Sequence, residues 1–191
     1  MAQALQLGPG VGKRRPAGFT LVELMIVVVI VGVLALLAVV GYRKLVQSAH
    51  VSEATAMVNN IRVAQEAYHA ETQIYANISS NLQTYYPAGT PVHGVQFAWG
   101  AACTNCKDAT WAQLPLHVDG PVLFGYATVA GAATTSFTMP GNDCNMSYPS
   151  GTSPDYYVIE AKGDLDNDPT TWTYVCGTSW TNTTLVINDG S

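Results

Sequence analysis

The sequence predicts an α+β protein in which one long N-terminal helix packs against an antiparallel β-sheet head. Residues Leu24 to Tyr42 form an uncharged apolar run, and Arg43 to Tyr75 carries apolar residues at helical spacing. Short β-prone runs separated by Gly and Pro make up the rest of the chain. A helix and a sheet each have to bury an apolar face, so packing one against the other is the natural arrangement.

The composition restricts the classes of partner. The chain has 191 residues, of which 48% are apolar and 11% are charged, and its formal net charge is −5. Three of the eight basic residues, Lys13, Arg14 and Arg15, lie near the N-terminus, so a chain without them carries −8. We therefore expect no nucleic-acid partner, because nonspecific nucleic-acid binding depends on a basic surface.

The N-terminus combines a basic cluster with an apolar segment, which is typical of an export signal. The small residue Gly18 precedes the apolar run instead of following it, unlike the cleavage site of an ordinary secretory signal. A helix over the 19 residues from Leu24 to Tyr42 rises roughly 28 Å, close to the hydrocarbon thickness of a bilayer. Glu23 at the start of this run is either a boundary residue at the membrane interface or a carboxylate with a specific partner.

The segment Gly18-Phe19-Thr20-Leu21-Val22-Glu23-Leu24-Met25 resembles the processing and assembly motif of type IV pilins and of the pseudopilins of type II secretion. The resemblance implies a pilin-like fold, with Gly18 as the last residue of a leader that a prepilin peptidase removes. Phe19 would become the new N-terminus and be N-methylated by the same peptidase/N-methyltransferase. Glu23 would pair with the N-terminal amine of a neighbouring subunit during assembly.

These observations divide the chain into three parts. Residues 1–18 are the expected leader, and residues 19–73 are the expected long helix. Within the helix, 19–42 is the membrane-spanning and assembly segment, and 43–73 is amphipathic. Residues 74–191 are the expected disulfide-bearing, β-rich head.

The head contains six runs rich in Val, Tyr, Phe, Trp and Thr that predict strands. They are Val95–Trp99, Val122–Ala130, Ser136–Met139, Tyr156–Ala161, Thr171–Cys176 and Thr184–Ile187. Four aromatic residues near these runs are expected in cross-strand pairs, and a receptor contact is the alternative. They are Tyr156, Tyr157, Trp172 and Trp180.

All four cysteines lie in the C-terminal half, and an even count in an exported chain predicts disulfides. Cys103 and Cys106 form a C-x-x-C pair, which by itself fits a redox pair, half a zinc site or a small structural disulfide. Four cysteines allow three pairings, among which we favour Cys103–Cys106 with Cys144–Cys176. The second bridge would resemble the C-terminal disulfide loop of many pilins.

Asp164, Asp166 and Asp168 alternate between two predicted strands. Carboxylates at this spacing resemble the start of a calcium loop, but Pro169 follows where an EF-hand has glycine. The favoured interpretation is a solvated hairpin loop with Asp and Asn as turn residues. The alternative is a calcium site; we expect no other cofactor.

The sequence contains no Ser/His/Asp set, phosphate-binding Gly loop or dense His/carboxylate cluster, and we expect no catalysis. The resemblance favours a structural type IV pilus subunit that polymerises with other pilin subunits through the inner-membrane assembly machinery. It would stay in the inner membrane before assembly and then belong to an extracellular pilus on the bacterial surface. The alternatives are a periplasmic pseudopilin of type II secretion and a minor pilin with an adhesive head.

Overall fold

The structure, a computed structural model, describes residues 18–100, 108–133, 143–146, 155–168 and 170–189. The predicted α+β class is confirmed, with a long N-terminal helix and a four-stranded antiparallel sheet. The elements in chain order are α1 (Leu21–Thr72), α2 (Asp108–Trp111), β1 (Gly125–Gly131), β2 (Tyr156–Gly163), β3 (Thr173–Thr178) and β4 (Thr181–Ile187).

The chain divides into two compact units, Met1–Gly41 and Tyr42–Ser191. The described residues of the first unit are the N-terminal part of α1 and the three residues before it, and all of them are exposed. By length and composition alone, α1 is apolar enough to cross a membrane, and its most apolar window has no buried residue. Such a surface is unfavourable in water and favourable in lipid or against other apolar helices.

In the second unit, α1 presents one apolar face to the head. Its buried residues recur at intervals of three and four, as expected for one side of a helix. They are Ala54, Met57, Val58, Ile61, Ala64 and Gln65. The core also contains Tyr157 and Ile159 of β2 and Val175 of β3, so this half of α1 packs directly on the sheet.

Gln65 is the buried polar residue of that face, and its amide ties the helix to the chain that follows. Its Nε2 donates to the carbonyl of Ala76 at 2.8 Å and to Thr128 Oγ1 at 3.2 Å, while its Oε1 accepts from Ala76 N–H at 2.9 Å. These bonds satisfy a side chain that would be costly to bury unpaired. They also bring α1, the segment after it and β1 together.

The sheet has the order β1-β2-β3-β4, and every neighbouring pair is antiparallel. Strands β1 to β3 are almost entirely buried, whereas β4 is mostly exposed at the edge. The register pairs Val129 with Val158 and Glu160 with Cys176. Glu160 therefore lies in the middle of the sheet, beside one half of a disulfide.

Gly177 allows α1 to approach β3 closely. A Cβ atom at this position would lie 2.9 Å from Val58 Cγ1 and 2.9 Å from Arg62 Nη2. Carbon atoms in contact prefer about 3.5–4.0 Å, so any larger residue here would force the helix and the strand apart.

Four predicted strands correspond to β1–β4, and their ends differ from the prediction by at most three residues. The prediction for Val95–Trp99 is wrong, because this segment makes only a single bridge, Phe97 with Val122. The short helix α2 was not predicted. Ser136–Met139 lies outside the described residues. Tyr156 and Tyr157 are buried in β2, so they are core residues and not receptor contacts.

The connection after α1 is part of the core, although its composition is polar. Ile78, Leu82, Tyr85 and Tyr86 are all buried. Tyr86 exchanges backbone hydrogen bonds with Tyr126 of β1, at 2.8 Å and 2.7 Å. This segment therefore covers the β1 edge of the sheet and brings Tyr85 near β2.

Candidate functional site

The first turn of α1 is closed by a reciprocal pair of residues, Thr20 and Glu23. Glu23 N–H donates to Thr20 Oγ1 at 3.2 Å. In return, Glu23 Oε2 accepts from Thr20 N–H at 2.9 Å and from the Thr20 hydroxyl at 2.8 Å. This is a capping box, which satisfies backbone N–H groups that have no partner within the helix.

The predicted cleavage junction lies immediately before this turn. Gly18, Phe19 and Thr20 are exposed and non-helical, and Phe19 is 87% exposed. A Cβ atom on Gly18 would meet nothing within 4 Å. In this chain, therefore, nothing that the structure describes blocks access of a peptidase to the bond between Gly18 and Phe19.

Both capping bonds from Thr20 go to one carboxylate oxygen, Oε2. Among the described residues, none donates to Glu23 Oε1, so that oxygen can accept a further hydrogen bond. A carboxylate held by its own helix at the start of an apolar segment suits recognition of a cation. Sequence reasoning missed the role of Thr20, although the Thr-x-x-Glu spacing before an apolar run is the usual signal of a capping box.

The head is closed by a disulfide between Cys144 and Cys176, which are 32 residues apart. Both residues are buried. Their sulfur atoms and a carboxylate oxygen of Glu160 all lie within 4.8 Å of one another. In the part of the chain that the structure describes, this is the one group of three side chains close enough to hold a metal. The sulfurs are bonded to each other, so the group is a covalent cross-link beside an acid and not a thiolate metal site.

Glu160 is fully buried on β2 and accepts a hydrogen bond from the Tyr85 hydroxyl at 2.6 Å. Its second oxygen, Oε2, has no hydrogen-bond partner at bonding geometry. Burial raises the pKa of Glu160 to about 7, and the charge of Asp143 adds to that rise. The hydrogen bond from Tyr85 and the backbone N–H groups of Cys144 and Asp143 oppose it. The carboxyl is thus protonated far more readily than a surface glutamate. A charged residue inside the apolar run of β2 was the sequence signal for this site.

Asp164, Asp166 and Asp168 lie on the loop between β2 and β3, where each carboxylate holds the backbone of its own turn. Their Oδ1 atoms accept, in chain order, from the N–H groups of Asn167 at 2.8 Å, Asp168 at 3.1 Å and Thr170 at 2.9 Å. Hydrogen bonds from Thr170 lower the pKa of Asp168. The structure does not bring the three carboxylates together as a ligand set, and the calcium site stays an untested alternative to the solvated hairpin loop.

Cys103 and Cys106 lie outside the described residues, so their predicted bridge stays a prediction. The same holds for residues 1–17 of the predicted leader.

The N-terminal segment defines a class of protein. Residues 13–39 match the family described as the prokaryotic N-terminal methylation motif. This match covers the predicted junction, Glu23 and most of the exposed apolar helix. The chain therefore carries a prokaryotic N-terminal methylation motif in front of its α+β head.

The chain is also similar to a curated protein over part of its length. The chain is 31% identical over 108 residues to the type IV major pilin protein PilA of Myxococcus xanthus (strain DK1622). The match covers 56% of this chain and 47% of the relative, so the chain spans about half the length of the curated relative. No solved structure matches the fold. By its motif and by this relative, the chain is similar to type IV pilins.

Proposed function

We propose that this chain is a structural subunit of a type IV pilus, processed between Gly18 and Phe19 and polymerised through α1. Pilins are structural proteins, and the proposed activity is assembly rather than catalysis. The precursor would reside in the inner membrane, with its basic leader inside and its head outside. The assembled filament would lie on the cell surface.

The observation that carries this proposal is the exposed apolar surface of α1. From Leu21 to Leu45 no residue is buried, and the large apolar side chains of this stretch are each more than half exposed. Lipid can cover this surface in the precursor, and the helices of other subunits can cover it in a filament. Because both environments are apolar, the transfer from one to the other costs little hydrophobic free energy.

Glu23 would determine the axial position at which a subunit joins the filament. Peptidase cleavage creates an amine at Phe19, and this cation would pair with Glu23 of a neighbouring subunit. In apolar surroundings an unpaired charge costs several kcal/mol. A subunit in register satisfies both charges, and one out of register satisfies neither. The capping bonds from Thr20 orient the Glu23 carboxylate before the neighbour arrives.

The proposal is tested by intact mass and N-terminal sequencing of protein sheared from cells. We expect a chain that begins with methylated Phe19 in the sheared fraction. A full-length chain that begins at Met1 in assembled material would contradict the proposal. Processed chain found only in membranes would instead favour the pseudopilin or a minor pilin.

A further inference from the structure

A cavity of about 300 Å³ lies between α1 and the segment that leads into β1. The helix contributes Glu53, Met57 and Asn60, which lie on one stripe, and the opposite wall is the segment from His117 to Val122. A water molecule occupies about 30 Å³ in the liquid, so the cavity has room for the end of a large side chain.

The rim of the cavity is acidic. Glu53 and Asp119 contribute one carboxylate each, and their side chains are 37% and 93% exposed. His50 Nδ1 lies 3.8 Å from Glu53 Oε2, and His117 Nε2 lies 2.9 Å from Asp119 Oδ1. Apart from His117, the residues that line the cavity carry two carboxylates and no basic side chain.

The floor contains a polar group without a partner. Tyr126 is fully buried and lines this cavity, and its hydroxyl makes no hydrogen bond. Burial, followed by the charge of Glu53, raises the pKa of Tyr126, so the hydroxyl stays neutral. A buried hydroxyl with no partner costs about 1–3 kcal/mol. The hydroxyl itself exposes almost no surface, so a guest contacts it only after the side chains around it shift.

We propose that this cavity receives Arg43 of a second copy of the chain, with its guanidinium between Glu53 and the Tyr126 hydroxyl. The inference rests on the proposed function, since it names one contact between subunits of the filament. A guanidinium has five donors in a rigid fork, so it can bind a carboxylate through two bonds and still donate to a hydroxyl.

Elimination among the basic side chains favours Arg43. Of the basic residues that the structure describes, Arg62 donates to the Asn182 carbonyl, and Lys162 lies over the rings of Tyr85, Trp172 and Tyr174. Lys44 shares a cavity with Asp189 of its own chain. Arg43 is exposed and makes no ion pair within the described part of the chain.

The Arg43 side chain that enters the cavity must come from another copy of the chain. Arg43 and Glu53 are ten residues apart on one helix, which separates them by about 15 Å along its axis and by about 80° around it. An arginine side chain cannot span that distance on its own helix. A neighbour displaced along the helix axis can bring its Arg43 level with the cavity.

Charge reversal in the full chain tests the contact. We expect Glu53→Arg and Arg43→Glu each to reduce the yield of sheared filaments about tenfold, equivalent to ~1.4 kcal/mol, and the double variant to restore most of it. Glu71→Arg, at an exposed position on the same helix outside the cavity, is the matched control and should keep the wild-type yield.

Tyr126→Phe distinguishes a role of the hydroxyl in the contact between subunits from a role in the stability of the subunit itself. The thermal midpoint of the detergent-solubilised subunit should stay unchanged or rise, because an unpaired hydroxyl is removed, while the filaments should dissociate at a lower temperature. Normal yield in both single reversals, or no recovery in the double variant, overturns the Arg43 contact. A wild-type chain that forms no filaments overturns the proposed function itself.

Discussion

Thr20 and Glu23 bind each other across the first turn of α1. Glu23 N–H donates to Thr20 Oγ1, and Thr20 donates to Glu23 Oε2 from both its backbone N–H and its hydroxyl. The carboxylate that is expected to recognise a neighbouring subunit is therefore already fixed by its own helix before any neighbour binds. Two consequences of this arrangement can be separated, because capping and assembly respond differently to substitution.

Glu23→Ala removes the proposed partner of the neighbour's amine, together with the two bonds that Oε2 accepts from Thr20, and leaves the residues of the cleavage junction unchanged. We expect normal removal of the leader and loss of filaments, with processed chain retained in the membrane. Thr20→Ala removes the cap and should cost the helix about 1 kcal/mol, with a smaller loss of filaments. N-terminal sequencing of membrane and sheared fractions measures both effects. Wild-type filament yield in Glu23→Ala would rule out the proposed role of the carboxylate.

Glu160 predicts a pH dependence of head stability. Its pKa rises from 4.5 to about 7 on folding, so the folded state binds the proton more tightly than the unfolded state. The stabilisation of the folded head by protonated Glu160 is fully present below pH 4.5 and is lost as the pH rises through 7. By linkage, the loss is about 3 kcal/mol. Thermal midpoints of the solubilised chain between pH 4 and pH 8 measure it.

Glu160→Gln should flatten this pH profile, because the side chain no longer titrates while its oxygen can still accept from Tyr85. Glu71→Gln, at an exposed helical position, should keep the wild-type slope. A slope that persists in Glu160→Gln would mean that another group is responsible.

The disulfide between Cys144 and Cys176 should contribute strongly to the head. Its 32-residue separation predicts a stabilisation of about 3–4 kcal/mol by the chain-entropy account. Replacing both cysteines with alanine should lower the urea midpoint accordingly, and the double variant should respond much less to a thiol reductant than the wild type. Equal midpoints for the two chains under oxidising conditions would contradict this prediction.

Gly177→Ala should weaken the packing of α1 on β3. The added Cβ would crowd Val58 and Arg62 at 2.9 Å, and overpacking of this kind typically costs about 1–3 kcal/mol. Gly89→Ala is a suitable control, since a Cβ there meets nothing within 4 Å. Urea unfolding of both variants distinguishes close packing from a general loss of glycine flexibility. Equal midpoints for the two variants would show that α1 adapts without cost.

The acidic loop should not depend on calcium. Asp164, Asp166 and Asp168 each accept backbone hydrogen bonds within the loop and do not form a common ligand set. We expect neither a chelator nor added calcium to shift the thermal midpoint of the solubilised chain. A calcium-dependent rise that disappears in Asp166→Asn would establish the alternative interpretation.

The sequence by itself determined the features that depend on neighbouring residues. The basic cluster, the Gly18-Phe19 junction, Glu23 and the uncharged run are all read within one short segment. The extent of α1 followed from helical spacing and the absence of proline, and four of six strands followed from β-prone runs. Val95–Trp99 misled the prediction because β propensity reports a preference for a pleated surface, whereas pairing depends on which strand is available.

Only the tertiary structure decided which distant residues meet. Tyr85 and Glu160 are 75 residues apart, and Gln65 and Thr128 are 63 apart. Glu160 reaches the disulfide through the register of β2 against β3, and Tyr126 lines the cavity between α1 and the segment that leads into β1. Periodicity indicates which side chains turn inward, but it carries no information on the partner that each one finds. That choice depends on the packing of the whole head, because a buried polar group is stable only where a matching donor, acceptor or charge is brought to it.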